Sequence, residues 1–572
     1  MQIEQSGRND SEPHLMSLDN ATTHEPSRYP NGEGRRHPSA EPNSRHSLDE
    51  RMGGVSEGGM TGKGSEVSQE ASNNIWLQGQ PQTPSSSVAT PRKAGEVVGG
   101  VGAAHSSVDT REKTTREERR SSTRLDADRS KEGREDGGVM PLLTSIKVRQ
   151  LQRTLYRQAK GNPKWRAWSL YGDMCRMDVL EEALRHIIAN NGAPGVDGVS
   201  VSQFKDSAEL REKFLRDLQS ELKAKTYQPS PVRRVLIPKA NGKTRPLGIP
   251  TVKDRVVQTA AVILLLPIFE ADMHEHSYAY RPRRNARQAM DQIKSAILKG
   301  HTEILDADLS AYFDTIPHGR LMKLVARRVS DGTMLRLVKA WLRSPIIERD
   351  KDGTTRTLPN HKGTPQGGVI SPLLANLYLN DLDHAVPQRT QGQAIMVRYA
   401  DDFVICCRPG KAEQIQERTK RWLESRGLKL NEEKTRRVNI RAKHASMNFL
   451  GFSLNYRTSG RTGRSYPHVE PSAKAQASLR EKVSEVLNRS TTWKAPEVVV
   501  AELNGKIRGW KSYYHYSNSS GVFGRMRRYI NERLSLWHWR KHACKGSIWK
   551  RHNPDELAER YRLYQLPLNA NW

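Results

Sequence analysis

Tyr399-Ala400-Asp401-Asp402 stands between Met396-Val397-Arg398 and Phe403-Val404-Ile405. Two acidic residues pinched between short apolar arms are the pattern of a β-hairpin whose tip offers carboxylates to something other than water. Taken alone, a solvated Asp-rich turn fits as well. A second acidic segment changes the balance: in EILDADLSAYFDTIPH (303–318), Ile304, Leu305, Leu309 and Phe313 surround Asp306, Asp308 and Asp314. Carboxylates from two strands, set side by side, can hold a pair of Mg²⁺ ions that activate a 3′-hydroxyl and stabilise a leaving pyrophosphate. That is the chemistry of polymerases.

The composition agrees with a polyanionic partner. The 572 residues carry 93 Lys and Arg against 63 Asp and Glu, a net charge of +30 spread along the chain. Such an excess favours nucleic acid, because neutralising phosphates releases condensed counterions. The length allows about three or four domains at roughly 100–200 residues each. A hydrophobic fraction of 35% and a mean hydropathy of −0.76 are low for a single compact globule. Four cysteines, Cys175, Cys406, Cys407 and Cys544, form no CxxC pair, which excludes a disulfide scaffold and points to a reducing compartment. AAVILLLPIF (260–269) is too short to span a bilayer and reads as a buried helix. The first residues lack the apolar run of a signal peptide, so the cytoplasm, with no membrane partner, is the expected location.

Residues 1–138 are rich in Ser, Gly, Glu and Arg and contain two aromatics, Tyr29 and Trp76. With so little to bury, this extension is expected to be disordered. Two readings stay open: a tail that tethers nucleic acid, or upstream sequence read into the frame with Met140 as the start. Order is expected from about Pro141. SIKVRQLQRTLYRQAK (145–160) places Val148, Leu151, Leu155 and Tyr156 on one helical face and basic residues on the other. PVRRVLIP (231–238) and TRPLGIP (244–250) read as hairpin arms joined through Asn241-Gly242. Arg233, Lys239 and Arg245 would share that flap, where several cationic groups can clamp a triphosphate. In GTPQGGVISPLLANLYLNDLD (363–383), Gly367-Gly368 removes side chains where a backbone or base approaches closely. Gln366 then sits at a loop-to-helix junction. GLKLNEEKTRRV (427–438) reads as a strand and MNFLGFSL (447–454) as a tight hairpin.

RPLGIP, SYAYRP, DADLSAYFD, GTPQGGVISPLLANLYL, VRYADDFV, LKLNEEKT and FLGF, in that order over about 145–455, resemble the reverse transcriptases encoded by bacterial group II introns. LNGKIRGWKSYYHYS (503–517) is similar to the core of that family's maturase region, which forms the thumb. The resemblance implies an α+β right-hand polymerase: fingers and a ferredoxin-like palm over 139–455, a helical thumb and maturase domain over 456–540, and a short basic extension over 541–572. It implies that Asp308 and Asp401 hold metal, with Asp402 completing the catalytic acidic set. Asp306 and Asp314 have no metal role in the family pattern, although Asp306 shares the strand parity of Asp308. Phe313 matches the aromatic that excludes a ribose 2′-hydroxyl, Gln366 the loop residue beside the incoming nucleotide, and Arg233, Lys239 and Arg245 the triphosphate-binding residues. Two Mg²⁺ ions, deoxynucleoside triphosphates, an RNA template, a DNA primer or target and the group II intron RNA are the implied cofactors and partners, and a dimer is one implied oligomeric state.

Many such proteins continue into an HNH endonuclease. Only Cys544 follows Cys407, and no His follows His552, so that domain is expected to be missing. Arg508, Lys511 and Arg525, interleaved with aromatics, are the expected RNA-binding residues of the thumb, whereas Trp510 and Trp537 are expected in its core. The alternatives are a retron, diversity-generating or defence-type reverse transcriptase, and a splicing-only maturase. A chain beginning at Met140 should keep polymerase activity and intron-RNA affinity, and limited proteolysis of the full chain should yield the same fragment. Loss of either property on removing 1–139 would overturn the compositional reading.

Overall fold

The computed structural model describes residues 145–238, 242, 244–349, 352, 354–542 and 553–569. The extension expected over 1–138, Lys239 with the neighbouring Asn241, and Cys544 lie outside them.

Helix α1 (Ile146–Gly161) buries Val148, Leu155 and Ala159. Tyr156, expected on that face, is 39% exposed, because it follows Leu155 by one residue and so turns about 100° away. Helix α2 (Met177–Asn190) stops at Asn191, whose φ of 46° is a left-handed cap that asparagine tolerates. Helix α3 (Ala208–Ala224) starts where the Ser207 hydroxyl accepts the Leu210 amide at 3.1 Å. Strands β1 (Val232–Pro238) and β2 (Thr244–Ile249) then form the expected antiparallel hairpin, in register from Arg233↔Ile249 to Pro238↔Thr244. Helix α4 (Val252–Glu270) contains AAVILLLPIF and is buried on all sides. At about 1.5–3 kcal/mol per large apolar side chain, it is the main hydrophobic column of the molecule.

Helix α5 (Ala286–Leu298) opens on a capping box between Asn285 and Gln288. It is followed by β3 (Glu303–Ala307), the single turn α6 (Tyr312–Thr315), α7 (His318–Ala326), α8 (Gly332–Arg343), β4 (Ile346–Arg349) and β5 (Thr355–Leu358). Next come α9 (Ser371–Arg389), β6 (Ala394–Tyr399), β7 (Asp402–Cys407), α10 (Ala412–Ser425) and β8 (Arg436–Asn439). The chain continues through β9 (Ser446–Phe449), β10 (Phe452–Thr458) and β11 (Ser465–Pro471) into α11 (Ala473–Val486), α12 (Pro496–Tyr514), α13 (Ser520–Lys541) and α14 (Pro554–Arg560).

The central sheet has the order β6-β7-β3-β8, every neighbour antiparallel. With α9 leading into β6 and α10 linking β7 to β8, the connection β3-α9-β6-β7-α10-β8 is the ferredoxin-like palm that the resemblance implied. The expected strand at 427–438 is confined to its end: LKLNEEKT is irregular, and regular pairing starts at Arg436. Pairing from Glu303↔Cys407 to Ala307↔Phe403 sorts the side chains by parity. Leu305, Ala307, Phe403, Ile405 and Cys407 enter the core shared with α9 and α10. Ile304, Val404 and Cys406 enter a second core with α5 and the β9–β11 sheet. Asp306 and Asp402 share the parity of that second face, and Asp308 continues it one step past the end of β3. The hairpin at Phe449↔Phe452 turns on Leu450 and Gly451, both at positive φ, as FLGF suggested.

A third core joins α11, α12 and α13 through Leu479, Leu503, Phe523 and Trp537. Ala558, Leu563 and Leu566 close it, so the described part of the C-terminal extension completes the thumb.

β1 also pairs in parallel with β4, giving a finger sheet of order β2-β1-β4-β5. Its edge strand β2 receives the loop that precedes α9: the Gly248 amide donates to the Gln366 carbonyl at 2.5 Å. Gly367 has φ 109°, and a Cβ there would press on the Gly248 carbonyl oxygen. The close approach expected at Gly367-Gly368 is therefore a backbone-to-backbone contact with the hairpin. Gly367→Ala should cost about 3 kcal/mol through strain and overpacking and reduce primer extension together with stability. Unchanged denaturant unfolding and unchanged extension would show that this contact is dispensable.

Candidate active site

β6 and β7 are joined by the two-residue turn Ala400-Asp401, flanked by the pair Tyr399↔Asp402. Ala400 has φ 62°, a conformation an L-residue adopts at a cost. What holds it is Arg398, fully buried at 0% exposure. Its Nη1 donates to the Ala400 carbonyl and to Asn376 Oδ1, each at 2.9 Å. Its Nη2 donates to Asp383 Oδ2 at 2.6 Å and to Ser277 Oγ at 2.8 Å, and its Nε to Asp383 Oδ1 at 2.8 Å. Burial alone would lower the guanidinium pKa, but Asp383 outweighs it and the net shift is upward.

The register that pairs Ala307 with Phe403 carries Asp308 toward Asp402. Asp308 is anchored from the irregular segment before β8: the Asn431 amide donates to its carbonyl at 2.8 Å, and Lys434 Nζ donates to Oδ2 at 2.7 Å. Desolvation raises the Asp401 carboxyl, with Asp308 adding and Arg245 opposing. Burial pushes Asp402 up to about 7, and Asp401, Asp308 and Asp306 push the same way. Because Asp402 is exposed as a residue, the crowding of like charges is the sounder cause. Asp306 is pushed up to about 6 by burial, with Arg436, its cross-strand partner, opposing and Asp308 adding. Asp306 thus joins the acidic group rather than standing aside from it. An all-carboxylate set of this kind suits a hard divalent cation. Among the described residues, however, no three His, Cys, Asp or Glu side chains form a ready-made cage.

Two of the residues expected at the nucleotide, Arg245 and Gln366, form a chain of hydrogen bonds that ends on Asp314. Arg245 Nε donates to Gln366 Oε1 at 2.9 Å, and Gln366 Nε2 donates to Asp314 Oδ2 at 3.3 Å. Burial raises Asp314, while Arg234, Gln366 and Arg245 oppose the rise. Phe313 is buried, its carbonyl accepting the Thr364 amide at 2.7 Å. Burial pushes Tyr280 up to about 12, with Asp401 adding and Arg245 opposing, so the two halves of the site are electrostatic neighbours. Arg233 is directed elsewhere: its Nη2 donates to the Pro194 carbonyl at 2.6 Å. It is Arg234, paired with Glu348 at 3.0 Å, whose charge bears on Asp314.

Residues 237–454 match the reverse transcriptase (RNA-dependent DNA polymerase) family, and 476–554 match the group II intron maturase-specific domain. Protein YkfC of Escherichia coli is 37% identical over 328 residues, 50% of this chain and 84% of that one. The group II intron-encoded protein LtrA of Lactococcus lactis subsp. cremoris is 29% identical over 361 residues, 52% of this chain and 58% of LtrA. An uncharacterized 91 kDa protein in the cob intron of Schizosaccharomyces pombe is 32% identical over 191 residues, 33% of this chain and 22% of that one. The chain belongs to the group II intron reverse transcriptase/maturase family. Its polymerase domain is that of an RNA-directed DNA polymerase, and the maturase domain follows it. No described helix is long and apolar enough to cross a membrane.

In this reverse transcriptase/maturase the expected RNA-binding residues lie on α12 and α13. Arg508 is exposed on α12 with its guanidinium 5.3 Å from the Tyr564 ring centroid. Lys511 is half-buried on the same helix, and Arg525 is exposed on α13. Trp537 is buried and donates to Thr491 Oγ1 at 3.1 Å, and Trp510 is half-buried and donates to the Ala475 carbonyl at 3.2 Å, both serving the core.

The sequence reading missed Arg398, Lys434 and Arg234. For Arg398 a signal existed, since an arginine at an inward position of an apolar strand demands a buried partner. Arg398→Met should destabilise by about 3–5 kcal/mol, because Asp383 is left buried and unpaired. The double variant Arg398→Met/Asp383→Leu should recover most of that stability, yet extension should stay down by about 10–100-fold because the Ala400 carbonyl still lacks its donor. Thermal melts and primer extension on the same preparations check this, and full activity in the double variant would remove the positioning role.

Proposed function

We propose that the chain copies RNA into DNA at Asp308, Asp401 and Asp402, and that it binds its group II intron RNA, assists splicing and supports mobility by target-primed reverse transcription. What most supports this is the convergence of carboxylates from two strands beside the Arg245–Gln366–Asp314 chain of hydrogen bonds. Asp308 and Asp401 would hold two Mg²⁺ ions. When bound, Mg²⁺ lowers the pKa of the primer 3′-hydroxyl and offsets charge on the departing pyrophosphate. Lys434 keeps Asp308 in place and balances its charge beforehand. Arg245 and Lys239 would take the triphosphate, while Arg233, tied to the Pro194 carbonyl, is left out of that role; Gln366 would lie against the nucleotide, and the Phe313 ring would exclude a 2′-hydroxyl. Arg508, Lys511 and Arg525 would contact intron RNA through phosphates. The fingers and palm are assigned to 139–455 and the thumb to 456–540, and the working place is the bacterial cytoplasm, at the nucleoid when engaged on DNA. The maturase-specific match over 476–554 argues against a retron or defence-type enzyme, and the retained carboxylates argue against a splicing-only protein.

Asp308→Ala or Asp401→Ala should lower Mg²⁺-dependent extension on an RNA template by about 10³-fold, a barrier rise of about 4 kcal/mol. RNA binding should be nearly intact, and filter binding beside primer extension decides between the two effects. Neutralising Arg508, Lys511 and Arg525 together should do the converse. Intron affinity should fall, and the slope of log K against log salt should shrink by about one per lost phosphate contact, while extension on a generic primer–template persists. Normal splicing by the triple variant would move the maturase surface elsewhere.

A further inference from the structure

The active-site carboxylates occupy one face of the palm sheet, and α9 and α10 cover the other. Between the outer sides of those two helices runs an open groove of about 500 Å³, within the range of built ligand sites. Leu382, Val386 and Ile415 form an apolar floor. Arg389, Arg418, Arg421 and Arg426 stand around it, and none of its lining residues is acidic. The nearest ion pairs do not cancel this charge. Arg421 holds Glu417 at 3.3 Å, and Asp381 is shared between Arg426 and Arg327. Arg389 and Arg418 are exposed, and no ion pair engages either among the described residues. Trp422, half-buried, lines the same groove with the Arg426 guanidinium 5.0 Å from its ring centroid.

We propose that this groove is a second RNA-docking site, which takes an unpaired stretch of RNA while the opposite face of the palm holds primer and template. The proposal rests on the RNA-binding reading above. Phosphates are drawn to Arg389 and Arg418, which have surplus charge to offer. The flat surfaces of Trp422 and its guanidinium neighbour suit a splayed base, for which stacking is sequence-tolerant. An acidic peptide would use the arginines but leave the indole face and apolar floor without a matching flat group. The sheet lies between groove and carboxylates, so one RNA can be held at the back of the palm while another is copied at its front.

The test uses the full chain with its catalytic cleft filled by an unlabelled primer–template duplex. The probe is a 4-thiouridine-substituted RNA oligonucleotide of about ten nucleotides, in the range of single-strand site sizes. Photo-crosslinks should fall on peptides spanning Ala412–Arg426. In Arg389→Glu/Arg418→Glu the crosslinks should drop by about tenfold or more, with extension on the generic primer–template and the melting temperature unchanged. Trp422→Leu should weaken crosslinking with a smaller change in salt dependence, which separates stacking from charge. Crosslinks absent from this segment, or undiminished by the charge reversal, overturn the proposal, as does preferential capture of an acidic peptide that the RNA fails to displace. Failure of extension by the unaltered chain would instead overturn the polymerase reading, and crosslinks at the groove would still support this one.

Discussion

Bringing several carboxylates to one place is opposed by their mutual repulsion, and this molecule depends on how that repulsion is contained. The carboxyls of Asp401, Asp402 and Asp306 are all raised, by burial and, in addition, by the charge of their acidic neighbours. Containment is structural before it is chemical. The Ala400-Asp401 turn has an unfavourable backbone angle and is tied down from inside by Arg398, whose own charge is neutralised by Asp383 on α9. A buried ion pair is weak evidence of net stability. Here its effect is geometric, because the guanidinium reaches the turn carbonyl, the palm helix and Ser277 at once.

The backbone of Arg398 also sets where SYAYRP lies. The His276 carbonyl accepts the Arg398 amide at 2.9 Å, and the Tyr278 amide donates to the Arg398 carbonyl at 3.0 Å. This short stretch therefore runs alongside β6, while Tyr280, two residues on, lies in the field of Asp401. On the other side, the glycines at 248 and 367 let the loop before α9 lie directly on the finger hairpin. Movement of either part would move Gln366 and Arg245 together.

Positive charge is distributed with the same economy. Around the carboxylates three cations have defined partners: Lys434 on Asp308, Arg245 on Gln366, Arg234 on Glu348. On the thumb Arg508 stands exposed beside Tyr564, and along the back of the palm exposed Arg389 and Arg418 share a groove with Trp422 and the half-buried Arg426, an arrangement suited to phosphates and bases. A net charge of +30 thus resolves into cations that organise the site and cations left open to a polyanion.

Local pattern was enough for much of this. The alternation of apolar and acidic residues around Asp308 and Asp401 determined two strands with carboxylates at their ends, Asn-Gly and Leu-Gly marked the hairpins, and AAVILLLPIF determined a buried helix, because each is set by neighbours along the chain. The resemblance supplied the order of the parts. What only the tertiary structure decided depends on contacts across long separations. Arg398 meets Ser277 across 121 residues, Lys434 meets Asp308 across 126, and Gln366 meets Arg245 across 121. Whether Arg233 or Arg234 bears on the site was decided by strand parity and by the Pro194 carbonyl. Tyr156 left the helix face assigned to it because one residue is about 100° of rotation. The groove behind the palm exists only once α9 and α10 lie side by side on a shared sheet.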